Sequence, residues 1–168
     1  MNNTLVSLFE YKAWANTELH AVLDGFDARK HPDEFRAMLR TLDHANVVDR
    51  IFQGHLRGTT TQPFQATQSD PTPNLAELRE SIQATDDWYI RFVRGIGVED
   101  LKRGVHFTFT DGDKGTMCCE EMLLHVITHS AYHRGSIGQL LEDLGTSSPP
   151  DSLTKFLHRH EPERRLGA

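Results

Sequence analysis

The chain is poor in cysteine: 2 in 168 residues, Cys118 and Cys119, side by side. Adjacent cysteines cannot close an ordinary disulfide loop, which argues against a secreted, disulfide-stapled scaffold. Long apolar runs are missing too. Nothing approaches the ~18–20 residues of a membrane-spanning helix, so no membrane association is expected. The opening MNNTLVSLFEYKAW has no basic stretch followed by a long apolar core, so no signal peptide is expected and the expected location is the cytoplasm. Dense basic clusters are also absent. Lys and Arg number 18 against 24 Asp and Glu, a net charge of −6 with His neutral. A phosphate backbone would meet no complementary patch, so no nucleic-acid partner is expected. RHEPERR mixes signs and reads as a solvated tail. There is no internal repeat and no low-complexity segment.

What is present is an ordinary globular balance, 38% hydrophobic and 25% charged. The length suggests one domain over residues 1–168, large enough for a sizeable core. LVSLFEYKAWANTELHAVLDG reads as a first amphipathic helix, with Leu8, Tyr11, Ala15, Leu19 and Val22 at helical spacing and Asp24-Gly25 as its stop. A second helix starts near HPDEF. Pro32 suits a first helical position, and Asp33 and Glu34 suit the positive dipole end. It runs to Gly58, a candidate C-cap. Residues 59–73 are polar and proline-punctuated, and read as a loop. The third helix opens at Asn74, with Glu77 completing a capping-box pattern. Its stripe of Leu75, Leu78, Ile82, Thr85, Tyr89, Phe92 and Ile96 faces a core. VHFTFTDGDKGTM alternates at Val105, Phe107 and Phe109 before a DGDKG turn, a small hairpin. The fourth long helix spans roughly Cys118 to Leu144. After TSSPPDS, Asp151 or Ser152 can cap a short helix, LTKFLHRH. The expected fold is all-α, a four-helix bundle with a small β-hairpin-like insertion before the fourth helix. The two long connections permit crossovers in place of simple up-down-up-down order.

The chemistry lies in histidine. HVITHSAYHRGSIGQLL carries His125, His129 and His133, each four residues apart. Residues at that spacing share a helix face, about 5–6 Å apart at Cβ, close enough for two imidazoles to hold one ion. The outer pair is ~12 Å apart along the axis, so the three do not ligate together. Either His125 with His129, or His129 with His133, is the chelating pair, and a third ligand must come from another helix. This helix has little polar face and is expected to be buried on most sides. On the second helix, His44 has Val47, Val48 and Ile51 at neighbouring helical positions and can point inward, whereas His55 is expected to be exposed at the C-terminal end. His44 is therefore the better candidate. Three histidine ligands leave coordination positions open, as catalytic sites do. The alternative for each is a hydrogen-bonded core histidine. A zincin is excluded, since no carboxylate lies between His129 and His133.

These residues carry a family resemblance. The chain resembles the DinB/YfiT-like superfamily of small bacterial four-helix bundles. The shared pieces are LFEYKAWANTEL, TLDHANVVDRIF, HVITHSAYHRGSIGQLLEDLG and PPDSL, which together run nearly end to end. The resemblance implies one divalent metal, Zn²⁺ or Ni²⁺, held by His44, His129 and His133. His125 matches a histidine common in the pattern and is expected to support the ligands or line the pocket. Two positions depart from the pattern: Tyr132 stands where a non-ligand His is usual, and Ser136 where Gln is usual. Both bear on the pocket lining and hence on the substrate. The better understood relatives include thiol-dependent isomerases and transferases using bacillithiol or mycothiol. The resemblance therefore implies a metal-dependent enzyme acting on a small molecule, either a thiol S-transferase or a hydrolase, with a low-molecular-weight thiol as possible co-substrate. No residue is assigned as general base; a water on the metal can fill the role. The alternatives are a stress-linked, non-catalytic metal- or ligand-binding module, or a dimer whose ion is structural.

Other residues have plainer expectations. Tyr11, Trp14, Trp88 and Tyr89 belong to the core, and Asp43 to an exposed face. Arg134 is expected in a surface or interhelical ion pair. A helix dipole would lower the thiol pKa of Cys118 and Cys119. Thr128, Ala131, Gly135 and Gly138 form a small-residue stripe, read as tight packing or a homodimer seam, and a homodimer is expected.

Overall fold

A computed structural model describes residues 3–59 and 65–165. Four long helices form the body: α1 (Asn3–Asp24), α2 (Pro32–Arg57), α3 (Leu75–Gly95) and α5 (Cys119–Asp143). A one-turn α4 (Val98–Leu101) and the antiparallel pair β1 (Gly104–Thr108) and β2 (Lys114–Cys118) precede α5, and α6 (Leu153–His160) follows it. The fold is all-α apart from this hairpin. Helix α1 packs on α3 and α5, and α2 packs on the same two. The consecutive helices α1 and α2 are therefore not the principal neighbours, unlike in a simple up-down-up-down bundle.

The local punctuation works as its chemistry suggests. Pro32 opens α2, and Gly58 closes it in the left-handed conformation at φ 67°. At α3, the Asn74 side chain accepts from the Ala76 and Glu77 amides, while Glu77 accepts from the Asn74 amide at 2.9 Å. Ser152, rather than Asp151, caps α6 through the Lys155 amide. The hairpin is shorter than its alternating pattern. Phe109 falls outside β1, and Cys118 ends β2 instead of starting α5. Of the polar connection at 59–73, residues 60–64 lie outside the described residues.

The core has two apolar halves with a polar layer between them. One half gathers Leu5, Phe9, Phe52, Tyr89, Val93, Met122 and Val126 with the hairpin's Val105 and Phe107. The other gathers Leu19, Leu23, Met38, Leu42, Leu78, Ile82, Ile137 and Leu141. Each large side chain buried in these halves contributes about 1.5–3 kcal/mol. Along every long helix the two halves are separated by polar residues: Lys12 and Asn16 on α1, Asn46 and Asp49 on α2, Asp86 on α3, Ser130 and Arg134 on α5. All are buried. A buried charge must be paired: Lys12, Asp49 and Asp86 are paired with one another, and Arg134 with Asp151. Lys12 Nζ lies 2.5 Å from Asp86 and 2.8 Å from Asp49. Asn16 donates to Asp86 at 2.7 Å, and Ser130 donates to Asp49 at 3.2 Å.

Several expectations are corrected. Helix α5 is not buried on most sides: Leu124, Thr128, Tyr132, Gly135 and Gln139 lie along an exposed strip, with Tyr132 71% exposed. Asp43 is 1% exposed, because the segment after α2 folds back and Ser69 bonds to it. His55 is 7% exposed, because the hairpin lays Phe107 beside it at a ring distance of 5.4 Å. Arg134 is buried and pairs with Asp151 in the connection after its own helix. Cys119 is buried, and burial pushes its thiol up, against the dipole expectation.

Candidate metal centre

The polar layer is also where three histidines meet. His44 comes from the middle of α2, and His129 and His133 come from one face of α5. One nitrogen of each lies within 4.8 Å of one nitrogen of each other. His129 Nε2 and His133 Nε2 are 3.1 Å apart. Two nitrogens about 2.0–2.1 Å from one ion sit roughly 2.9–3.4 Å apart for octahedral to tetrahedral angles. The observed spacing falls inside that range, so this donor set fits a divalent ion. The pair brought together is His129 with His133, as the resemblance implied. His125 stands one turn away and is not in the cluster.

His44 is oriented by a chain of contacts beginning one residue before it. Asp43 accepts from the Ser69 amide and hydroxyl, each at 2.7 Å. That fixes the 65–69 segment over α2 and sets the Thr67 carbonyl 2.9 Å from His44 Nδ1. A carbonyl only accepts, so Nδ1 carries the proton and Nε2 is free for an ion. Asp43 is expected from its helical position to be a surface acid, and the structure buries it. Its only local signal was a charge on the buried side of a helix, and its partner lies 26 residues on.

Electrostatics also suit a cation. Burial, with the neighbouring imidazoles of His133, His125 and His44, lowers the His129 pKa to about 4. Burial also lowers His133. A metal ligand must be unprotonated, so these rings need lose no proton at neutral pH. Burial similarly lowers His125, whose ring lies tilted against Phe52 at 4.5 Å and stacks on His129 at 5.3 Å. His125 therefore forms wall beside the cluster. Tyr132 sets its ring edge-on to His133 at 5.2 Å, from the exposed strip of α5.

The other residues singled out lie elsewhere. Cys118 and Cys119 stand at the hairpin end of α5, where Glu121 accepts the Cys118 amide at 2.7 Å. Gly135 and Gly138, from the small-residue stripe, line a cleft of about 650 Å³ under the 148–152 connection and α6. Arg134 forms part of that cleft. It holds Asp151 through Nε at 2.8 Å and Nη2 at 3.3 Å, and Tyr11 donates its hydroxyl to the same carboxylate.

Fold and cluster together define a class: a small helical bundle that gathers three histidines from two helices into a site able to hold a metal ion. The chain belongs to the DinB family, whose model matches residues 1–165. Protein DinB of Bacillus subtilis (strain 168) is 22% identical over 173 residues, covering 98% of this chain and 99% of that protein. No solved structure gives a significant match. No helix among the described residues is long and apolar enough to cross a membrane.

Proposed function

We propose that this chain is a metal-dependent enzyme in which His44, His129 and His133 hold one Zn²⁺ or Ni²⁺ and coordination positions stay open to a small-molecule substrate. The observation that carries the reading is the convergence of three low-proton-affinity or carbonyl-oriented imidazoles with no fourth Cys, Asp or Glu in the same described cluster. Three protein ligands mark an open site, whereas four mark a closed structural one. A bound ion there supplies Lewis acidity, lowering the pKa of a water or thiol brought to it.

The chain's own residues define the rest. The Thr67 carbonyl holds His44 in the ligating tautomer. The tilted His125–Phe52 pair offers an apolar wall on one side, and the Tyr132 ring borders the other. The reaction class proposed is thiol-dependent S-transfer or hydrolysis in a cytoplasmic, single-domain protein, working as a homodimer. The exposed Leu124 and Tyr132 on one side of α5 are consistent with a partner copy. Assays of metal-loaded protein with a panel of electrophiles and esters, with and without low-molecular-weight thiols, test the reaction. Turnover that requires thiol and vanishes on chelation identifies a transferase; thiol-independent turnover identifies a hydrolase. Full metal loading with neither activity would favour the binding-module reading. Sedimentation tests the dimer.

A further inference from the structure

We propose that the cleft between α1, α5 and α6 binds a small organic oxyanion, a carboxylate or a phosphate ester, at a site separate from the metal centre. Its volume of about 650 Å³ falls inside the range of about 300–1,000 Å³ usual for small-molecule sites. None of His44, His129 and His133 lines it. Ala15 and Leu19 of α1, each 1% exposed, give it an apolar floor. Glycine is among the least favourable residues in a helix interior, yet Gly135 sits on the cleft wall in the middle of α5. Packing does not require it there, since a Cβ at Gly135 would meet no atom within 4 Å. Gly138 differs: its Cβ would come within 3.4 Å of Ser148 Cβ, so the close approach of the 148–152 connection accounts for it. What Gly135 preserves is empty space, open to a bound molecule.

The charges of the lining name the ligand class. Arg134, Lys155 and Arg159 line the cleft with two carboxylates, Asp151 and Glu142, and the carboxylates are the better matched. Asp151 takes two N–H groups from Arg134 and the Tyr11 hydroxyl. Glu142 takes the Ser148 hydroxyl at 2.5 Å. The cations have donors to spare. Lys155 Nζ has no partner among the described residues. Arg159 gives one N–H to Glu18 at 3.3 Å, on the exposed surface. Arg134 is 5% exposed and has five N–H groups, of which three are used, on Asp151 and Asn16. Those bonds fix its guanidinium in place, and a fixed guanidinium is well suited to the planar geometry of a carboxylate or the oxygens of a phosphate. The local surplus is thus positive, in a chain whose net charge is −6. An oxyanion answers the cations, and a short carbon skeleton answers the apolar floor.

The test is an amide-shift titration of the ¹⁵N-labelled protein, with inorganic phosphate in one arm and succinate in the other, at constant ionic strength. Saturable shifts at residues 134–142 and 148–155 are expected in at least one arm. Saturation by phosphate alone assigns a phosphate ester, and saturation by succinate alone assigns a carboxylate. Gly135→Leu, whose side chain fills the cleft, should abolish the shifts while its melting temperature holds or rises. Lys155→Gln should weaken binding about twofold to fivefold. No saturable shift in either arm overturns the proposal, whatever the variants do. So do shifts confined to the surroundings of His44, His129 and His133, and so does undiminished binding in a folded Gly135→Leu protein.

Discussion

Lys12 shows how much one residue can hold. Its ammonium is 1% exposed and sits between two buried carboxylates, Asp49 and Asp86. Burial pulls its pKa down, but the two carboxylates outweigh burial and keep it above the ordinary lysine value. Burial pushes Asp49 up despite the lysine beside it. Removing the cation leaves two desolvated acids facing each other. Lys12→Met should therefore lower stability by about 3–5 kcal/mol in urea denaturation, far more than an exposed lysine would. The pattern was present in the sequence: Leu5, Phe9, Lys12, Asn16, Leu19 and Leu23 form one 4-3-4-3-4 stripe, with two polar residues where apolar ones belong. The ligating histidines were easier to read, because four-residue spacing is itself the chelating geometry. The local sequence left two pairs open, and the family resemblance favoured His129 with His133. His55 and Asp43 are buried against expectation, because what covers them, Phe107 and Ser69, arrives from distant segments that no helical period reports.

At the scale of elements, the bundle helices are legible from their caps and stripes, and the loop that completes the site is not. The 65–69 segment looks like a polar connection, yet it is tied to α2 through Asp43 and delivers the carbonyl that orients His44. Asp43→Ala should free that segment and weaken zinc binding about 10–100-fold, read by chelator competition, while the far-ultraviolet dichroism of the helices stays unchanged. The caps make a smaller, local contribution. Asn74→Ala removes the side-chain acceptor of the α3 capping box and should cost about 1 kcal/mol, read as a shifted denaturation midpoint with metal affinity intact. A cap is local chemistry, so sequence reveals it. A loop's docking site depends on the assembled helices, so sequence does not.

For the whole molecule, the histidines set the response to pH. Burial lowers the pKa of His20, His55, His125, His129 and His133, with His129 at about 4 against an ordinary 6.5. Between those values the unfolded chain binds the proton and the folded one does not. Their stabilisation is therefore complete above about pH 6.5 and is lost as pH falls from there toward each lowered folded value. Asp49, held above its ordinary 3.8, acts in the opposite sense. The metal-free protein should melt at a lower temperature at pH 5 than at pH 7, by about 2–4 °C per kcal/mol lost. A flat or rising profile would mean that these rings are not buried as described. The metal centre itself is tested most directly by elemental analysis of protein purified without a metal-affinity resin. The wild type and His55→Ala should each carry one transition-metal ion per chain, and His44→Ala, His129→Ala and His133→Ala should carry almost none. Stoichiometric metal persisting in those three variants would contradict the account.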